Sequence, residues 1–310
     1  MNLSSVLADA GGATQLAVRT LALGGATVVI GTSAFRWVVM GSAARVNTVT
    51  GDVERQVERQ VARIGMVAAF VVTIAAAWRI VAQADALLSP GDPLLPLVVA
   101  VLKTTWGRAA TVQVAAALVA LVGFWSTRNA SSRGWTVALG AAVVMAATPA
   151  WMGHAAATES RIVIAIGADM LHVGAAGGWA GAVTVLALVL RHLQRETGAG
   201  AMAAELISRF RILALVCAGT LLGTGATSAL FRLAAPSDLF TSPYGLILSA
   251  KLAIVASAAI LGRRHSQTAA LRARTGGASA VTASIGAEAV LFVLVLALSA
   301  LLSASPPPSD

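Results

Sequence analysis

Asp169 and His172 lie three residues apart inside an apolar run, 162–190, that is long enough to cross a bilayer. That spacing is just under one helical turn, so both side chains sit on one face of a helix. Trp179, seven residues beyond His172, falls on nearly the same face of an ideal helix. An ionisable side chain at mid-bilayer costs roughly 2.5–3.5 kcal/mol on insertion scales, so such groups turn toward a protein interior or a water-filled path. Met170 precedes His172 by two residues, and Met152 precedes His154 by two at the end of the preceding apolar run. Imidazole and thioether are the ligands expected for copper, the thioether favouring Cu(I). His154, His172, Met152 and Met170 are therefore the candidate metal ligands. Asp169 is placed to orient the His172 ring, as metal-ligating histidines need. The same residues have plainer readings: a hydrogen-bonding core histidine, methionines that face core or lipid, and a carboxylate that partners an Arg or Lys. Spacing alone leaves both sets open.

Two further charges interrupt apolar runs, Lys251 and Glu288. The simplest expectation is that they form a buried ion pair, which keeps two charges in a helix bundle at the least cost. Gly174 and Gly178 form one G-x-x-x-G pair and Gly177 and Gly181 a second. Such pairs let neighbouring helices approach closely. His192 and His265 stand beside Arg191 and Arg264 at the ends of runs and read as solvated.

The elements that must position these residues follow from composition. The 310 residues are 57% hydrophobic and 11% charged, against about 25% charged in ordinary soluble domains. An all-α, polytopic transmembrane helix bundle follows, a single integral membrane domain over residues 1–310. Eight spans are expected, at about 16–40, 64–88, 107–125, 134–155, 162–190, 212–231, 244–261 and 280–303. The first is not read as a signal peptide, because its start carries no basic residue and its apolar run is too long. Residues 94–105 suit a short interfacial helix, and Glu54, Arg55, Glu58 and Arg59 suit a short surface helix within the polar segment 41–63. Pro149 is expected to kink the fourth span near its end. Thr220, Thr224 and Thr227 form a ladder in the sixth, suited to helix packing and i−4 hydrogen bonds.

The net charge of +9 would suggest nucleic acid in a soluble protein. In this chain the basic residues sit in connections and set topology. Fifteen Lys and Arg fall on the side of the 1–2, 3–4, 5–6 and 7–8 connections and six on the other, which places both termini outside the cytoplasm. In a Gram-negative cell that side is the periplasm. With that orientation His172 lies near mid-membrane, about 16 Å into its span at 1.5 Å per residue. The single Cys217 excludes an intrachain disulfide or a thiolate cage. No P-loop, H-E-x-x-H, G-x-S-x-G or C-x-x-C-H is present, so no recognised hydrolase, ATP-driven pump or c-type haem protein is expected, and the chain is read as a non-enzyme.

Several stretches resemble the copper resistance D (CopD/PcoD-like) family of bacterial inner-membrane proteins. Asp169, His172, Trp179 and Gly181 match its D-x-x-H…W-x-G element, and Gly153-His154-Ala155 its "GHA". Arg209-Phe210 followed by Thr224-Gly225 is similar to its "RFS…TG" span, and Tyr244-Gly245-x-x-Leu248-x-x-Lys251-Leu252 to its "YGxxLxxKL". Glu288 and the tail around Pro306-Pro307 are similar to its closing span. The clearest resemblance covers residues 149–307. Where the family reads W-x-G-G, this chain has Trp179-Ala180-Gly181-Ala182. The resemblance implies copper transport or uptake across the inner membrane, as part of copper homeostasis or resistance. It also implies copper received from a periplasmic chaperone of the CopC type. The 310 residues carry no fused CopC-like domain, so that chaperone would be separate. Two other classes stay open at this stage. One is a haem-binding or quinone-linked redox protein, for which only His154 and His172 offer axial ligands within the membrane. The other is a non-catalytic assembly or scaffold subunit of a larger membrane complex.

Overall fold

A computed structural model describes residues 12–41, 51–89, 91–129, 131–152, 162–194, 200–274 and 278–303, with the side chains of 129, 162 and 263–289 outside the description. All regular structure among them is helical. Helix α1 runs Gly12–Met40, its last six residues, Phe35–Met40, being π-helical. Helix α2 spans Gly51–Asp85, α3 Leu94–Lys103, α4 Thr105–Ser126 and α5 Ser132–Met152. Helix α6 is composite: α-helical over Ile162–Ala176, π-helical over Gly177–Gly181 and α-helical again over Ala182–Leu193. Then come α7 Gly200–Arg232, the single turn α8 Asp238–Thr241, α9 Pro243–Arg274 and α10 Ala278–Leu302.

Among the described residues, seven helices are long and apolar enough to cross a membrane: α1, α2, α4, α5, α6, α7 and α9. The eighth expected span falls in α10, whose apolar stretch with described side chains is Val290–Leu302. The outward faces support a lipid environment. Phe70, Val122, Leu215, Leu222 and Leu230 are all exposed, an apolar surface that a monomeric soluble protein does not carry. The seven tryptophans make the same point. Trp78, Trp106 and Trp151 sit at one set of helix ends, Trp37, Trp125 and Trp135 at the other. These are the two aromatic belts of a membrane protein. Trp179 alone lies between them.

Hydropathy marks where the apolar runs end, not where helices end. The expected separate surface helix around Glu54–Arg59 is instead the start of α2, which continues unbroken into the second span. Between Gly51 and Gly65 no Gly or Pro interrupts a run of good helix formers, so nothing stops the helix there. For the same reason α7 begins at Gly200, inside a segment expected as a loop. Helix α9 also extends into one, to Arg274, passing through Gly262, whose cost inside a helix is only about 1 kcal/mol. The short helix expected at 94–105 is α3, and Thr104 caps the next one by accepting from the Gly107 amide at 3.0 Å. Pro149 lies inside α5 and cannot donate to the Met145 carbonyl. The Thr148 hydroxyl donates to that oxygen instead, at 3.0 Å.

The bundle has two groups. Helices α1, α2, α4 and α5 pack together on the N-terminal side, and α6, α7, α9 and α10 on the other. They join where α1 crosses the π-helical turn of α6. A Cβ added at Gly181 would strike the Thr27 carbonyl, and one at Gly31 would strike the Gly181 backbone. Gly177 fits against Ile30. The Gly177/Gly181 pair is therefore a packed seam, whereas Gly174 of the other pair faces open space. Helix α6 is the most enclosed of the spans, which is why the polar residues it carries need protein partners.

Candidate functional site

His172 comes ten residues into α6, about 15 Å from its start at 1.5 Å per residue. Its Nδ1 lies 3.0 Å from the Thr224 hydroxyl of α7. That hydroxyl has one hydrogen, and it donates to the Thr220 carbonyl at 2.7 Å. It can then only accept from the ring. The proton sits on Nδ1, and Nε2 is left with its lone pair as a possible metal ligand. Gly225 leaves room beside the ring, since a Cβ there would lie 3.8 Å from His172 Cε1. The threonine ladder makes the expected i−4 bonds, Thr220 to Val216 and Thr227 to Gly223, both at 3.0 Å. Its middle member also has a second task, fixing the imidazole.

Asp169, expected to orient that ring, has a different partner. Its carboxylate meets the Arg232 guanidinium at 3.4 Å, where α7 ends. Arg232 also donates to the Tyr244 hydroxyl at 3.5 Å. Lys251 stands within electrostatic reach of Asp169, Arg232 and His172. Tyr244 and Lys251 are seven residues apart, two turns on one face of α9. The other residues of that stretch have structural duties. Gly245 passes so close to the Asp238 carbonyl that no side chain fits, and Leu248 packs on the cluster of Tyr244, Ile247 and Leu302. Ser249 donates to the Leu239 carbonyl at 2.9 Å, pinning α8 to α9.

The remaining sequence candidates are dispersed. Trp179 meets Phe292 of α10 edge to face, ring centroids 5.2 Å apart. His172 instead has its polar partner on α7, and the π-helical turn at 177–181 interrupts the 3.6-residue register on which the shared face was reckoned. Met152 packs with Ile80, Val101 and Ala110 in the N-terminal group. Met170 is half-buried on α6. His154 and the Glu288 side chain lie outside the described residues, so the expected Lys251–Glu288 pair does too. Among the described residues no three His, Cys, Asp or Glu side chains converge as a metal cage. Thr224, Arg232 and Tyr244 are the members of the site that sequence reasoning did not single out. Two of them had a signal: Thr224-Gly225 and Tyr244 belong to short stretches already noted for their resemblance.

The charge balance gives a prediction. Asp169 is the one described carboxylate facing two cations, Arg232 and Lys251. Asp169→Asn leaves both uncompensated in a half-buried place and should destabilise the protein by about 2–3 kcal/mol, the cost of leaving charged groups without their partner. Arg232→Gln leaves Lys251 to face Asp169 and should cost about 1–2 kcal/mol. Thermal unfolding in detergent would show that order, with Lys251→Met restoring part of the Asp169→Asn loss. Equal losses from the two single variants would mean that Lys251 does not take part.

Comparison with known proteins matches the chain in two segments, with most of α6 between them. Residues 8–164 match the profile described as copper resistance protein D-like, N-terminal domain, and residues 204–302 that of copper resistance protein D. The chain belongs to the copper resistance protein D family. It is 28% identical over 205 residues to the copper transport protein CutJ of Bacillus subtilis (strain 168), covering 66% of this chain and 37% of that protein. It is 35% identical over 114 residues to copper resistance protein D of Pseudomonas syringae pv. tomato, covering 36% of this chain and 37% of the relative. The chain thus spans little more than a third of the length of either relative. No solved structure matches. Thr224, Arg232, Tyr244 and Lys251 lie within the second segment matched by the copper resistance protein D family, while Asp169, His172 and Trp179 fall between the two.

Proposed function

We propose that this chain carries copper across the bacterial inner membrane, with His172 as the ligand in the middle of the path. The observation that supports this most is the His172–Thr224 pair. It presents an imidazole with a free Nε2 deep in a bundle whose relatives are named for copper transport and copper resistance. The chain has eight spans, with α10 the last, and both termini on the periplasmic side. His154, two residues beyond Met152 in the sequence, is the receiving ligand where a separate CopC-like chaperone hands over its metal, with Met152 and Met170 as flanking thioethers. Stepwise ligation, a few donors at a time, suits transport because a conducting site must release what it binds. Asp169 contributes by holding Arg232 and Lys251, whose charges would otherwise repel a copper cation at His172.

The test is copper accumulation in cells with and without the gene, at matched levels of other copper transporters. Expression should raise cell copper, and a reporter fused beyond Pro306 should read as periplasmic. Unchanged copper would put the assembly-subunit reading ahead. A haem absorbance band in the purified protein would favour the redox reading.

A further inference from the structure

At the end of the bundle where α1 starts and α2 finishes, Arg19 and Arg79 line one small cavity with Gln15, Gln83 and Trp106. Its volume is about 10 Å³, room for a single water-sized oxygen. The two guanidinium groups are close enough to repel each other. Arg79 lies over the Trp106 ring, 5.6 Å from its centroid. Arg19 donates only a long bond, 3.4 Å, to the Gln15 carbonyl. That amide is held in place by its own NH2, which donates to the Ala82 carbonyl at 3.2 Å and ties α1 to α2.

The other half-buried arginines with described side chains each meet a carboxylate: Arg36 meets Glu58, Arg209 meets Glu205 and Arg232 meets Asp169. Arg19 and Arg79 apart, the described arginines left without one are exposed. Among the described residues neither Arg19 nor Arg79 has a carboxylate partner. Two like charges brought together on neighbouring spans need an anion to make the arrangement favourable. We infer that Arg19 and Arg79 form a binding site for a phosphate oxyanion, one oxygen seated in the cavity between the two guanidinium forks. Two forks approaching from separate helices suit an acceptor with several oxygens, which phosphate has. The level within the bilayer fits as well. Arg19 and Arg79 lie within two turns of their helix ends, beside Trp106 and Trp78 of one aromatic belt, at the height of lipid headgroups. The site is distinct from the one around His172 and does not depend on what that one carries.

The source of the phosphate is an anionic lipid or the free ion, and one experiment separates them. The full chain in detergent would be melted with phosphatidylglycerol, with phosphatidylcholine and with inorganic phosphate, and retained lipids counted by native mass spectrometry. A ligand that binds the folded state raises its melting temperature. Phosphatidylglycerol should stabilise the wild type more than an equal amount of phosphatidylcholine, and R19Q/R79Q should weaken its binding by about tenfold or more. Competition by millimolar phosphate would identify the free ion as a ligand; lipid binding without competition would identify the headgroup. Where the double variant is not recovered folded, R19Q alone serves, since it leaves the Gln15–Ala82 link in place. Equal binding by wild type and variant, or no response of the wild type to either source, would overturn the inference.

Discussion

Replacing His172 with alanine is expected to abolish copper accumulation driven by this chain while leaving folded protein in the membrane. The side chain is only partly buried and its one recorded polar bond is to Thr224. Its loss leaves Thr224 still bonded to the Thr220 carbonyl. No buried donor is stranded, so the stability cost stays near the ~1 kcal/mol of an ordinary hydrogen bond. The transport loss is large because no other described histidine lies at that depth. Thr224→Val provides the graded companion. It keeps shape and apolar character but removes the acceptor that holds the proton on Nδ1. Removing an outer partner of a metal-ligating histidine typically lowers affinity or activity about 10–100-fold. Accumulation at low external copper should therefore fall steeply in Thr224→Val and recover at higher copper, whereas His172→Ala should not recover at any concentration. Normal accumulation in His172→Ala at equal protein level would remove this residue from the path.

The largest effect on folding is expected at Gly181. Any side chain there would meet the Thr27 carbonyl, and α1 answers with Gly31 against the Gly181 backbone. The obstructing atoms are main chain on both sides, so no rotamer change relieves the clash and the two helices must separate. Overpacking a core ordinarily costs about 1–3 kcal/mol. Here separation would also unpack the junction between the two halves of the bundle, so Gly181→Leu should leave little folded protein, by monodispersity in detergent or by yield from membranes. Gly174→Ala is the internal control, since a Cβ there meets nothing within 4 Å. It should be neutral or slightly stabilising, by up to about 1 kcal/mol from helix propensity. If the two variants behave alike, the seam between α1 and α6 is not where the halves are held.

Much of the architecture is a local property and was legible from composition. Apolar runs of bilayer length and the scarcity of charge determine a helical membrane bundle, because backbone groups in lipid can only be satisfied within a helix or a closed barrel. The depth of His172 follows from counting residues along one helix. The i−4 bonds of the threonine ladder follow from the same period. Helix ends were less legible, since α2 and α7 extend beyond their apolar runs through helix formers without a Gly or Pro, and α9 continues through Gly262, which costs a helix only about 1 kcal/mol.

The partners across helices belong to the tertiary structure alone. Asp169 finds Arg232 across 63 residues of sequence and His172 finds Thr224 across 52. Nothing in the spacing of either residue tells which neighbouring helix will stand opposite it. That is decided by how closely the helices pack, and two glycine pairs with the same sequence pattern show the difference: one meets backbone, the other has a member facing open space. The π-helical turn at Gly177–Gly181 adds a rotation that no 3.6-residue count contains, so Trp179 turns to α10 while His172 stays on α7. Residue types along one chain carry the chemistry of an imidazole, a carboxylate or a guanidinium. Which of them share a site depends on helix faces meeting in three dimensions, and for this protein that meeting is set by glycines whose contacts only the folded bundle defines.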